Sequence, residues 1–397
     1  MLFYGITNRR NTENERRIEM FVDLAESRKE IDGIDAEIVK LFEQRMKVAA
    51  NVADYKLATG KAVFDKEREM DKIKNLKGMA ESEFNAKCIA ELFTQIMAMS
   101  RKFQYQRLEE RETDSKLEPY ELTDGINKEG VKVVYQGVPG AYSHEAMINY
   151  FGRDVDNFNV GTFREAMDAV RKGRADYAVI PIDNSSAGMV NDTYDLLQEF
   201  NNYIVAETYV QIRHCLLACP RTELEDIKTV YSHPQGLAQC GQYLDKHPEW
   251  EQRESLNTAI AAKKVAEDKD NTQAAIGSAN CAEEYGLVVL EEGINTAEAN
   301  TTRFVIVARE RRFVRNAGKV SICFEIQHES GSLYNAISHI MFNGLNMTKI
   351  ESRPIPEHNW EFRFFVDFEG NLADAGVRNA LRGIAEESNY LRLLGNY

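Results

Sequence analysis

The stretch "YAVIPIDNSSAGMVNDTYDLL" (Tyr177–Leu197) decides how the middle of the chain folds. Its apolar run, Tyr177 to Ile180, stops at Pro181 and gives way to Asp183, Asn184, Ser185, Ser186 and Gly188 before a helical pattern resumes. A short β-rich run that ends in small polar residues and feeds a helix is one unit of an α/β domain. Three further units read the same way. "VVYQGVPGAYSHEA" leaves a strand through Gly137 and Gly140 and enters a helix near Ser143. "TVYSHPQGLAQC" sets Ser232, His233 and Gln235 after a strand, and "AAIGSANCAEEYG" does so with Ser278 and Asn280. In a largely parallel sheet such strand ends lie together, at the edge where ligands bind. Glycine there permits close backbone approach, and helix N-termini offer N–H groups to carboxylates.

Turn and cap chemistry accounts for any one unit alone. The four together, with Asn257-Thr258 and "NTTRF" (Asn300–Phe304), point to a site; the last element sets Thr301, Thr302 and Arg303 at the start of the apolar strand "FVIVA". His144 and His233 are candidates for chemistry in it, with capping the plainer reading of each. No nucleophile–base pair and no metal-ligand spacing accompanies them, so no metal or other cofactor is expected.

The segments on either side have other periods. After a polar lead-in (1–20), Ile31, Ile34, Ile38, Leu41, Val48, Val52 and Tyr55 recur at alternating threes and fours, the mark of a long amphipathic helix. A second helix is predicted from near Asp65, and a third through Phe84, Cys88, Leu92, Ile96, Met99 and Phe103. Residues 21–110 therefore read as an all-helical domain and the charged, Pro- and Gly-containing stretch 111–129 as a linker. The α/β domain spans 130–309, and a basic connector (310–318) follows. Residues 319–397 read strand, helix, strand, strand, helix, strand, the βαββαβ order of a ferredoxin-like fold.

Composition bounds the partners. A net charge of -14 over 397 residues argues against nucleic acid or an acidic membrane surface as the main partner. No run approaches the roughly 20 apolar residues of a membrane span, and the apolar start is too short for a signal peptide, so a cytoplasmic location is expected. The six cysteines are scattered and read as free, mostly buried thiols.

One residue of the first helix breaks its pattern. Position 45 falls on the apolar seam yet holds Arg45. A buried arginine needs an anion, supplied by a core carboxylate or by a ligand, unless it snorkels to water. Lys56, eleven residues on, shares nearly the same face. Asp65, Arg68 and Glu69 lie at i, i+3 and i+4 in "FDKERE", and Ser100 and Gln104 flank the seam of the third helix. That mixture of cations, carboxylates, hydroxyl and amide suits a small polyanion that carries a hydroxyl group. Arg28 lies about 25 Å before Arg45 along a straight helix, so it reaches the same ligand only from a partner subunit.

These residues carry a family resemblance. "SRKEIDGIDAEIVKLFEQRMKVAANVADYK", "FDKERE" and "SRKFQ" resemble the all-helical mutase domain of the bifunctional chorismate mutase/prephenate dehydratase family. The resemblance implies an interlaced helical dimer. In it Arg28 (from the other chain), Arg45 and Arg68 bind carboxylates, Lys56 and Gln104 the ether oxygen, and Asp65 and Glu69 the hydroxyl region, with Ser100 at a pocket position. "GVPGAYSHEA", "DYAVIPIDNSSAG", "VYSHPQGLAQC" and "NTTRF" resemble the family's two-lobed α/β dehydratase domain, which turns prephenate into phenylpyruvate in the cleft between its lobes. By that likeness Thr302 donates to the leaving hydroxyl, and Arg303, Asn184, Ser143, Gln235 and Thr258 bind carboxylates or the ring hydroxyl. Asp183 stands where the family often has Glu, one methylene shorter.

The C-terminal segment resembles an ACT domain, an amino-acid-binding module found at subunit interfaces. "ESGSLYNAI" (with Gly331, Ser332 and Leu333), Asn343 and "ESRP" (Glu351, Ser352, Arg353 and Pro354) would hold phenylalanine as a feedback inhibitor. The implied partners are chorismate, prephenate, phenylalanine and further copies of the chain, as a dimer or tetramer. Two other readings stand beside this one: a non-catalytic sensor of amino or aromatic acids whose helical segment only dimerises, and an enzyme in which one of the two sites is inactive.

Overall fold

The computed structural model describes residues 23–109, 119–297, 299–355 and 361–397. The lead-in (1–20) and the 111–118 part of the linker lie outside the described residues. The chain divides into two units, Met1–Asp114 and Ser115–Tyr397.

In the first unit α1 (Leu24–Thr59) starts where the Asp23 carboxylate accepts from the N–H groups of Ala25 and Glu26, and stops at Gly60, whose φ of 66° suits a residue without Cβ. Helix α2 (Lys66–Lys77) starts on the side chain of Asp65, which accepts from the Arg68 N–H. Helix α3 (Glu83–Glu109) packs against both. The buried face of α1 consists of Ala49 and Ala53, with Arg45 and Met46 half-buried beside them. Within one chain the apolar seam is in water: Ile34, Leu41 and Val48 are each 60 % exposed or more. The period identifies the helix, but most of its apolar stripe has no cover inside the unit.

The second unit begins with β1 (Glu121–Thr123) and β2 (Lys132–Gln136), then α4 (Tyr142–Phe151), β3 (Asp156–Val160), α5 (Phe163–Arg171) and β4 (Tyr177–Asn184). β5 (Gly188–Met189), α6 (Asn191–Glu199) and β6 (Tyr203–Gln211) complete the first part of one lobe. The other lobe holds β7 (Cys215–Ala218), β8 (Thr229–Ser232), α7 (Pro234–Gln239), α8 (Gly241–Leu244), β9 (Glu251–Glu254), α9 (Thr258–Asp268), β10 (Gln273–Gly277), α10 (Ala279–Tyr285) and β11 (Val288–Glu292). The chain then returns through β12 (Thr301–Ala308), which lies between β6 and β4. The basic connector contains β13 (Arg312–Val314), paired with β1. The tail follows as β14 (Lys319–Glu325), α11 (Ser332–Phe342), β15 (Met347–Pro354), β16 (Phe362–Glu369), α12 (Ala375–Glu387) and β17 (Tyr390–Asn396), the βαββαβ order read from the sequence.

Two sheets result. The smaller runs β11-β7-β10-β8-β9. The larger has ten strands, β15-β16-β14-β17-β6-β12-β4-β2-β3 with β5 on β4, so the tail continues the sheet of the first lobe. The junction is narrow: β17 meets β6 in parallel at Gly395 opposite Ile204. A Cβ on Gly395 would collide with the Ile204 carbonyl oxygen. Among the described residues no helix is long and apolar enough to cross a membrane. Of the six cysteines Cys88 is exposed and the other five are buried.

The close approach at Gly395 predicts that Gly395→Ala destabilises the second unit by about 1–3 kcal/mol through overpacking. Calorimetry on the purified chain measures this, and an unchanged unfolding transition would show that the junction tolerates the methyl group.

Candidate active sites

The strand ends of both sheets face a cleft of about 560 Å³. Ser143, Asn184, Gln235, Thr258 and Thr302 line it, so five of the residues read from sequence converge from five separate segments. Backbone pairing explains the central contact. β12 runs antiparallel to β4 with Thr302 opposite Asn184 and Arg303 opposite Asp183; the register then shifts, leaving Ile182 as an extra residue. Such a bulge twists the strand and re-aims its side chains, and Pro181, which has no N–H to give a ladder, sits beside it. Asn184 is fully engaged. Its Oδ1 accepts from the Ser186 and Ala187 N–H groups at 3.0 and 2.8 Å, while its Nδ2 donates to Asn300 Oδ1 at 2.8 Å and Thr302 Oγ1 at 2.9 Å. Thr302 is the acceptor in that bond, so its own O–H proton remains for a group in the cleft.

Two expected cleft residues face the other way. Side chains alternate along a strand, so Arg303 and Asp183 project from the face opposite Thr302 and Asn184. Arg303 is 9 % exposed. Its Nε donates to Glu207 at 2.7 Å, Nη1 to Asp367 at 2.7 Å and to Asp183 at 3.3 Å, and Nη2 to the Tyr397 hydroxyl at 2.6 Å. Asp183 also pairs with Lys349 of the tail. Burial alone would lower the pKa of Arg303, yet the facing Tyr397, Asp367 and Glu207 raise it above the ordinary value. Burial likewise pushes Glu207 up, but Lys319 and Arg303 outweigh it and hold the carboxyl below its usual range. The expectation that Arg303 and Asp183 line the cleft is thereby corrected.

The histidines divide in the plainer direction. His144 Nδ1 accepts from the Gly140 N–H at 3.0 Å and its ring lies against Tyr135; His233 caps α7, accepting from the Gln235 N–H at 3.2 Å. A third, His214, is buried beside the cleft and was not singled out by sequence. Its Nδ1 meets the Tyr142 hydroxyl at 3.0 Å and its Nε2 the Gln239 Oε1 at 2.9 Å. It precedes a strand rather than following one, so the search for strand-end residues passed over it. Asn300 was read only as part of "NTTRF", without its bond to Asn184.

In the first unit Arg45 donates to Ser100 Oγ, and to the Ile96 carbonyl at 3.4 Å. Partial burial lowers its pKa, and the Glu69 carboxylate acts in the raising direction. Gln104 is buried; its Nε2 donates to the Ser100 carbonyl at 3.1 Å and its Oε1 has no partner among the described residues. Lys56 Nζ donates to the Val63 carbonyl at 2.6 Å. Arg45, Ser100, Gln104 and Glu69 therefore gather around the α1–α3 contact, while Arg28, Asp65 and Arg68 are exposed. Arg101, not identified from the sequence, is buried, pairs with Glu69 and lies over the Phe64 ring at 4.7 Å. Its neighbour Lys102 is also buried, and "RK" on a charged helix gave no signal of that.

The tail residues occupy separate places in one chain. Gly331 and Leu333 line a cavity of about 390 Å³ with Phe362 and Phe364. Ser332 opens α11, whereas Asn343 ends it, about 16 Å further along the axis, bonded to Asn379 at 2.7 Å. Glu351, Ser352, Arg353 and Pro354 lie on the edge strand β15, and Arg353 pairs with Asp195 of α6 at 2.5 Å.

Comparison with known proteins fits both units. The sequence model of the family Chorismate mutase type II matches residues 27–105, and that of Prephenate dehydratase matches residues 133–312. The bifunctional chorismate mutase/prephenate dehydratase of Escherichia coli is 34 % identical over 376 residues, 93 % of this chain and 95 % of that one. This chain belongs to the bifunctional chorismate mutase/prephenate dehydratase family. Among solved structures, prephenate dehydratase from Arthrobacter aurescens in complex with L-Phe is 31 % identical with a TM-score of 0.63, over 67 % of this chain and 89 % of that one. A structure described as a novel type of quorum quenching acylase, GqqA, is 31 % identical with a TM-score of 0.62, over 66 % of this chain and 96 % of that one. The bifunctional family spans both units.

Burial lowers the pKa of His214 below 6.5, against a hydrogen bond to Gln239 that acts to raise it. As pH falls below 6.5 the unfolded state takes up this proton first, so the stability of the second unit should fall from there toward the folded pKa. Thermal unfolding as a function of pH measures the slope, and His214→Asn should flatten it; an equal slope in both proteins would exclude His214 as the source.

Proposed function

We propose that this chain catalyses two consecutive reactions: rearrangement of chorismate to prephenate in the helical unit, and loss of carbon dioxide and water from prephenate, giving phenylpyruvate, in the cleft. The observation that carries the second half is the Asn184–Thr302 hydrogen bond at the paired strand ends. As the ring carboxylate leaves as carbon dioxide, its bonding electrons flow into the ring and expel the hydroxyl group, and aromatisation drives the step. The enzyme has to stabilise the departing hydroxide. A Thr302 hydroxyl that already accepts from Asn184 is polarised toward donation and aimed by a rigid partner. Ser143, at the start of α4, and Thr258, at the start of α9, would hold carboxylates near helix N-termini, and Gln235 would add a neutral donor.

The rearrangement needs no nucleophile and no proton transfer. It needs the compact conformer of a dianion and charge where the ether oxygen becomes negative. Arg45, held by Ser100, supports the first role, with Arg68 and the partner's Arg28 as further carboxylate contacts. Lys56 and the second N–H of Gln104 serve the ether oxygen, and Asp65 and Glu69 the hydroxyl region. The uncovered stripe from Ile31 to Val52 supports an interlaced dimer, because about 32 Å of apolar helix face is unstable in water without a partner.

Phenylalanine is the effector in this reading, bound by the ACT-like tail where two copies meet. Support comes from the dispersal of Gly331–Leu333, Asn343 and Glu351–Pro354 within one chain, and from exposed Tyr334, Met341 and Ile350 on the same module. A cytoplasmic location accompanies this assignment.

Incubation of the purified chain with chorismate, followed by NMR, should yield phenylpyruvate, less of it with phenylalanine present. Arg45→Ala should abolish rearrangement and leave dehydration of added prephenate intact, while Thr302→Ala should do the reverse. A folded variant that loses both activities would count against separate sites, and unchanged chorismate with the wild-type chain would return the sensor reading. Leu41→Glu, placed on the open stripe, should dissociate the helical dimer in light scattering and remove mutase activity; retention of full mutase activity would sink the interlaced arrangement.

A further inference from the structure

We propose that Arg303 is a positioning residue of the dehydratase that acts through Thr302 from the back of the strand pair, and that the C-terminal module reaches the site through it. The inference rests on the dehydratase reading of the cleft. It differs from direct substrate binding because the guanidinium has no fork left to offer: each of its three nitrogens is already bonded to a protein group.

The charges around it close on themselves. Asp183, Glu207 and Asp367 face Arg303; Lys319 Nζ lies 2.6 Å from Glu207, and Lys349 pairs with Asp183. These three carboxylates balance the three cations, and a fourth, Glu351, lies 3.5 Å from Lys349, so no positive charge is in excess. A substrate carboxylate would be one more negative charge forced into a largely buried cluster that has no positive charge to spare. What the cluster can do is fix backbone. Arg303 ties β12 to β4 through Asp183, to β6 through Glu207 and to β16 through Asp367, one residue from the hydroxyl in the cleft. Rotation or sliding of β12 would break several charged hydrogen bonds at once, so Thr302 is held at a set distance from Asn184.

Two of those partners, Asp367 and Tyr397, belong to the tail. Ser321 of the tail completes the set, donating to Asp367 at 2.5 Å and lying 2.7 Å from the Tyr397 hydroxyl. A shift of the tail relative to the catalytic lobe would therefore be felt at Arg303, and through it at Thr302.

The test is steady-state kinetics of the full-length protein on prephenate. Arg303→Lys and Glu207→Gln should each lower kcat by between about ten- and a hundredfold, as for a catalytic group displaced by a fraction of an ångström to an ångström, with KM within about twofold. In a Thr302→Val background Arg303→Lys should add no further loss. A rise in KM with kcat retained, or full additivity with Thr302→Val, would overturn the assignment and restore Arg303 as a substrate ligand. If Arg303→Lys fails to fold, Glu207→Gln alone decides by the same split. The link to the tail is read separately: in Asp367→Asn the ratio of rates with and without phenylalanine should move toward one, while equilibrium dialysis still detects bound phenylalanine. An unchanged ratio would remove the tail from the proposal. Loss of dehydration in the wild-type chain itself would instead strike the reading of the cleft.

Discussion

Paired strands send neighbouring residues to opposite faces, and at β4 and β12 this constraint divides the chemistry of the second unit. Thr302 and Asn184 face the cleft; Arg303 and Asp183 face the tail. The bulge at Ile182 lets Pro181 and Phe304 join the cleft wall without disturbing that division. The two faces differ in what surrounds them. The front is an open cavity with neutral donors, and the back a largely buried cluster of paired charges. A largely buried cluster of charges is tolerable only when its geometry is met in full, and that geometry fixes the strand pair that carries Thr302.

The helical unit follows a different logic. Its polar set, Arg45, Ser100, Gln104 and Glu69, lies around the contact of two helices at which the small residues Ala49, Ala53 and Ala98 are buried. Small side chains let the helices approach and leave depth for a guanidinium. The large aliphatic residues are on the remaining surface, which favours assembly over packing within one chain.

Much of this was legible in sequence because local rules dominate it. The three-and-four spacing gave α1, the switch to short β runs gave the α/β unit, and the tail's order of elements followed from alternating periods. Convergence of Ser143, Asn184, Gln235, Thr258 and Thr302 was legible as well, since parallel strand ends share an edge. What escaped were properties of pairing at long range. "TR" in "NTTRF" reads as two polar neighbours at one site; only the strand geometry shows that they serve opposite faces. His214 lies before a strand and so carried no turn signal, and Arg101 and Lys102 resemble any exposed basic pair, although both are buried and Arg101 pairs with Glu69 of α2. The apolar seam was identified correctly as apolar, but periodicity does not say whether the cover comes from the same chain.

The narrow seam between β6 and β17 bears on how such chains can be recombined. The sequence suggests a detachable tail joined by a basic connector, the kind of boundary at which modules are exchanged. Yet the tail contributes a strand without a side chain where it meets Ile204, two lysines and an aspartate to the charge cluster, and an arginine, Arg392, whose guanidinium donates to the carbonyls of Leu197, Gln198, Phe200 and Asn202 in the catalytic lobe. A chimera cut at the connector would carry none of the matching partners. A cut that keeps every one of these pairings together falls ahead of β1, which itself pairs with β13, so the tail is the part that must be inherited with its host.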